Sequence, residues 1–174
     1  DESNTIRVQA ATAITKIENL FMTRLMKLVK VKEQNEGEPV VVLALAEHYD
    51  NYAYTGLLDS DREQANRTRA LAHYQEYLAL DPSSLDVRTR IGRILMRDKD
   101  YVKACDWFRD CIDAGYTSEV ISQWYSEALF SCGRFKELRQ FSLVQQPSTQ
   151  AAAAAQPLPV KEALALWASS GKGM

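Results

Sequence analysis

Arg93 and Arg97 stand four residues apart in I-G-R-I-L-M-R, with Met96 between them. On a helix that spacing projects both guanidiniums from one face. Such a pair suits a carboxylate-bearing peptide or helix, because each planar fork can donate to both carboxylate oxygens at once. This is recognition chemistry, and little in the chain suggests catalysis. There is no glycine-rich phosphate loop, no nucleophile elbow, no H-E-x-x-H and no plausible triad. His48 lies among apolar residues and His73 between Ala72 and Tyr74, so each reads as a packed or surface imidazole. Asp59 and Asp61 fall in a turn, where capping is the ordinary job. Two histidines and three cysteines without a C-x-x-C do not make a metal site. The chain is therefore expected to be no enzyme and to carry neither cofactor nor metal.

A length of 174 residues suits one domain, or a domain with appendages. With 46% hydrophobic and 25% charged residues, there is enough apolar material for a sizeable core. A net charge of −2 gives no general attraction to nucleic acid or membrane, and a nucleic-acid partner is not expected. Cys105, Cys111 and Cys132 are odd in number and unpatterned, which fits unpaired buried thiols in a reducing compartment. No apolar run reaches membrane-spanning length, and no signal peptide is present. The chain begins with Asp1 rather than Met, which predicts further residues upstream.

The arginines need a scaffold, and the stretch Leu80 to Gly115 supplies it. It reads as two short amphipathic helices joined by a tight turn. The first carries Leu85, Ile91, Ile94 and Leu95. The second carries Tyr101, Ala104, Phe108, Cys111 and Ile112, at i, i+3, i+7, i+10 and i+11. Gly92 interrupts the first helix at a cost of about 1 kcal/mol against alanine, so another helix is expected too close there for a β-carbon. Ala104 is the expected partner of that approach. Asp100 is a ready N-cap in the turn Asp98-Lys99-Asp100. Pro82 is expected to end one helix and open the next.

At these residues the stretch resembles a tetratricopeptide repeat, a helix–turn–helix unit of about 34 residues. Ile91, Gly92 and Leu95 match the large-small-large signature of the family's first helix, and Tyr101, Ala104, Phe108 and Cys111 match its second. Pro82 matches the proline that closes the preceding repeat. The chain departs from the family at Arg88, where tryptophan is preferred. The resemblance implies an all-α solenoid of helical hairpins.

Around this centre the elements fall in order. Residues 1–36 read as one long amphipathic helix capped by Ser3, with Ile6, Ala10, Ala13, Ile17, Phe21, Leu25, Leu28 and Val31 as its apolar stripe. It is either a capping helix laid along the repeats or the continuation of a membrane anchor. Arg24, Lys27, Lys30 and Lys32 make its second half basic, which would suit an anionic membrane surface but is more often simply a solvated face. Residues 37–144 hold about three repeat-like units. In the first, Val40 to Tyr54 could be a buried strand, but Leu45, Ala46 and Tyr49 repeat the large-small-large spacing and argue for helix. Ala70, Tyr74 and Tyr77 follow on the next helix, in a unit about a dozen residues longer than the family repeat. The third unit, with Tyr125, Ser126, Leu129, Gly133, Phe135 and Leu138, degenerates past Phe141. Residues 145–159 read as an Ala/Gln/Pro linker. Residues 160–174 form a short amphipathic segment whose Leu164, Leu166 and Trp167 are expected to dock, on this chain or on a second copy.

In the repeat family the first helix of each hairpin lines a concave surface. That register places Thr89, Arg93, Met96 and Arg97 toward the concavity, with Arg90 at its edge. It adds Gln123, Trp124, Glu127 and Phe130 from the third unit, and Leu43, Glu47 and Asp50 from the first. These are the candidate partner-binding residues. The other reading of the arginines is a helix face with intramolecular salt bridges. Leu43 and Glu47 replace two residues of the family's carboxylate clamp, so chaperone-type specificity is not expected.

A long basic helix, then L-A-E-H-Y-D-N-Y-A-Y-T-G-L-L-D, then a clear repeat, resembles the cytoplasmic repeat domains of the PelE family, up to about Gln140. These are inner-membrane components of the bacterial Pel exopolysaccharide synthesis and export machinery, which builds biofilm matrix. The resemblance implies two transmembrane helices upstream, a place at the cytoplasmic face of the inner membrane, and a scaffolding role. The implied partner is PelD, whose cytoplasmic GAF domain binds cyclic di-GMP. A soluble adaptor that captures a peptide or helix is the alternative, and a regulatory domain of a larger enzyme a more distant one.

Overall fold

Seven helices and no strand make up residues 2–145, the part described in the computed structural model. They are α1 (Glu2–Gln34), α2 (Pro39–Ala53), α3 (Ser60–Leu80), α4 (Leu85–Arg97), α5 (Tyr101–Asp113), α6 (Glu119–Ser131) and α7 (Phe135–Gln145). The expected segment 160–174, and the expected linker beyond Gln145, lie outside the described residues.

The starts and stops follow from local chemistry. Asp59, Asp100 and Ser118 cap α3, α5 and α6, each accepting from a backbone N–H three residues on. Pro39 occupies the first turn of α2, where its missing N–H costs nothing. The three valines of α2 are helical, not extended. Asp100 caps as its position in the turn predicts, and Asp59 confirms the capping reading. Pro82 opens no helix. It sits in a turn held by Asp81, which accepts from the Ser83 N–H and hydroxyl, and α4 begins only at Leu85. Ser3 lies inside α1 and not at its cap.

α2 packs on α3, α4 on α5, and α5 on α6, with α4 also meeting α3 and α6. Ala46, Ala70, Tyr74, Val87, Ile91 and Ile94 form a buried cluster across α2, α3 and α4. The two alanines carry little bulk, so α2 and α3 can close around the Tyr74 ring. Each large apolar side chain so buried contributes about 1.5–3 kcal/mol. Gly92 faces a different neighbour from the one its spacing predicts. A β-carbon there would lie 2.7 Å from Cε1 of Phe108, so the obstacle is the Phe108 ring and not Ala104. Ala104 is buried too, but one turn away from the contact. The length of the first hairpin lies in its helices: α2 has 15 residues and α3 has 21, against 13 each in α4 and α5.

Among the described residues α1 packs on α2 from Ile14 onward, and it reaches α3 through the Glu18–Arg62 and Lys32–Glu76 pairs. Its half-buried apolar residues are Ile14, Phe21, Leu25 and Leu28. Of the stripe read from the sequence, Ile6, Ala10 and Ala13 stay exposed before the covered stretch begins, and Ile17 and Val31 stay exposed beside it. Phe21 anchors the contact, stacked on Tyr52 at 3.8 Å and on His48 at 4.3 Å between centroids. The Lys32 ammonium donates to Glu76 of α3 at 2.6 Å. No helix among the described residues is long and apolar enough to cross a membrane. The chain divides into two units after Gly133. The second is described through α7, at whose start Arg134 and Glu137 pair at 2.6 Å.

Candidate interaction groove

The groove is built outward from Asp50, which has no exposed surface. A carboxylate there needs compensation. Arg93 supplies it across the α2–α4 contact, with Nη2 at 2.6 Å from Oδ2, and the Tyr74 hydroxyl donates to the same oxygen at 3.0 Å. The Asp50 carboxylate is therefore buried inside the fold, with Oδ2 engaged twice and Oδ1 unpartnered, and is not offered to a partner, contrary to its place in the repeat register. Arg97 turns toward Glu63 of α3 at 3.4 Å. Arg90 pairs with Asp86 at 2.8 Å and with Glu47 at 3.2 Å.

Tyr54, just past the end of α2, organises what remains. Its ring lies under two cations, the guanidinium carbons of Arg93 and Arg97 standing 4.7 and 4.5 Å from the centroid. Beside it opens a hollow of about 240 Å³ lined by Tyr54, Arg93, Met96, Arg97, Trp124 and Glu127, with Tyr101 at the turn end. A second hollow of about 220 Å³ continues past Arg93 and Trp124 to Asp86, Thr89 and Arg90. Thr89 is itself buried, and its hydroxyl donates to the Leu85 carbonyl at 2.9 Å. Met96, Arg97, Arg93, Trp124 and Glu127 thus come together as the spacing suggests. Gln123 and Phe130 are exposed and line neither hollow.

Two donors buried beneath this surface are unpartnered. The Tyr54 hydroxyl and Arg93 Nε have no hydrogen-bond partner within the protein. Burial pushes the Tyr54 phenol above its ordinary pKa, offset in part by Arg93, so the hydroxyl keeps its proton. A carboxylate laid in the hollow would meet the partly exposed Arg97 guanidinium.

The histidines serve packing. His48 is buried, with Nε2 3.0 Å from the Phe21 carbonyl, and desolvation holds its pKa below the ordinary histidine value. His73 stacks on Tyr49 and lies 3.1 Å from Glu76. Among the described residues no group of histidine, cysteine or acidic side chains could hold a metal. The sequence reading missed Tyr54 and Glu63, because both meet α4 only through the tertiary fold. The one usable signal was Asp50, an acid in a largely apolar helix, which calls for a cation beside it.

No protein-family model matches this chain, and no curated protein matches it either.

Proposed function

We propose that this chain is a non-catalytic protein-interaction scaffold of the tetratricopeptide class, its hairpins stacked as a solenoid. The order of the helices supports this reading, as do Gly92 against Phe108 in the central hairpin and the groove beside it. We further propose a PelE-like role, organising an exopolysaccharide synthesis complex at the cytoplasmic face of a bacterial inner membrane. PelD, through its GAF-containing region, is the proposed partner. The observation that carries the binding assignment is the hollow beside Arg97, walled by Met96 and Trp124. Methionine, arginine and tryptophan are enriched at interface cores.

The test is co-purification with PelD of a Trp124→Ala, Met96→Glu variant. Neither side chain holds the buried ion pair, but Trp124 rests against Phe108, so recovery of the partner should fall at a temperature where the variant keeps the helical content of the parent. Full recovery of the partner would remove the groove from the interface. The partly exposed Arg97 in the hollow also favours a second reading, a soluble adaptor for acidic peptides. Calorimetric binding of an acidic peptide by the isolated chain, with no retention of PelD, would favour that one.

A further inference from the structure

The exposed side of α1 carries a heptad seam that packing onto α2 does not use. Ile6, Ala10, Ala13, Ile17 and Leu20 recur at alternating spacings of four and three, and Arg24 and Lys27 continue the register. All seven are exposed, Ile6 at 65% and Leu20 at 70%. The stripe that holds α1 in place is a different one, through Ile14, Phe21, Leu25 and Leu28. From Asn4 to Ala13 every residue is exposed, so none of the described helices covers that stretch. A repeat of 3.5 residues keeps a seam facing one partner along its whole length. The small centre, Ala10 and Ala13, would let two backbones approach at the short end of the usual 8–10 Å separation.

We propose that α1 is a self-association helix, and that two copies of this chain pair antiparallel through this seam with Ala13 near the dyad. Charge selects the direction. A parallel pair would stack Arg24 on Arg24 and Lys27 on Lys27, which is repulsive. The antiparallel register sets Ile6 against Leu20 and Ala10 against Ile17. A hollow of about 250 Å³ flanks the seam between α1 and α2, lined in part by Ile17, Leu20, Phe21 and Arg24. In this register the second copy's residue 6 falls beside that hollow, where an isoleucine side chain has an apolar floor.

Sedimentation equilibrium of the full chain tests the pairing. The expected mass is twice the 19.7 kDa of one chain. Ala13→Glu, which puts two acids on the dyad, should give a monomer with an unchanged melt, since Ala13 is exposed. In a Cys132→Ser background, Ile6→Cys mixed with Leu20→Cys should cross-link on mild oxidation, and neither alone should. A monomeric parent, or a dimer that survives Ala13→Glu, overturns the proposal. Self-linking of Ile6→Cys alone overturns the antiparallel direction. Loss of the dimer on removing residues 147–174, with Ala13→Glu still dimeric, would assign association to the C-terminal segment instead.

Discussion

Arg93 of α4 neutralises Asp50 of α2 at 2.6 Å, with the carboxylate fully buried and the guanidinium about a third exposed (35%). The arginine that looks most available to a partner is thus also the counter-charge of the core. Its outer edge faces the groove while its Nη2 holds two helices together.

Arg93→Met should cost about 3 kcal/mol, the lower end for breaking a buried pair because the arginine keeps partial solvent access. The cost lies in the stranded Asp50 charge. Adding Asp50→Asn should restore most of the stability, read as urea midpoints. A single variant as stable as the parent would show that Asp50 finds compensation elsewhere.

Gly92→Ala should destabilise the chain by about 1–2 kcal/mol, although alanine is the better helix former by about 1 kcal/mol. The added carbon meets the Phe108 ring at 2.7 Å, and a buried ring has little room to yield. A double-mutant cycle with Phe108→Leu should show the coupling. Additive effects, or a parental melt for Gly92→Ala, would remove the contact as a constraint.

His48 ties α1 to α2, and its pKa is lowered mainly by desolvation, against a raising effect of the Phe21 carbonyl and with Arg24 adding repulsion. The folded state therefore binds fewer protons than the unfolded state near the ordinary histidine value of about 6.5. Stability contributed by the neutral ring is present above that value and declines as pH falls through and below it. Melts between neutral pH and pH 5 should show this decline, and His48→Gln should flatten it. An equal slope in the variant would place the pH dependence in other groups.

The cysteines should label in a fixed order. Cys105 and Cys111 have no exposed surface, and burial raises the Cys111 pKa, while Cys132 is partly exposed. Native alkylation read by peptide mass spectrometry should modify Cys132 first and the other two only on unfolding.

The sequence made the α4–α5 hairpin legible because its local signals agree: apolar spacing, the Asp100 cap and the helix-interior glycine all point to one arrangement. The same agreement made α2 a helix despite its valines. Three things were out of reach. Ala104 and Phe108 lie on one face of α5, and spacing alone does not say which of them reaches Gly92. On α1 two apolar stripes run side by side, and only the position of α2 decides which is covered. In the groove the arginines were visible, but their tie to Asp50 spans 43 residues and depends on how α2 meets α4.

The closeness of Gly92 and Phe108 along the chain bears on the order in which the protein assembles. They are sixteen positions apart on adjacent helices, so little chain entropy is lost in bringing them together. The Asp50–Arg93 tie closes a much longer loop. A hairpin that reaches its packing through near neighbours can form early, before the distant charge pair is made. In refolding kinetics Gly92→Ala should then slow folding, whereas Arg93→Met should act mainly by hastening unfolding.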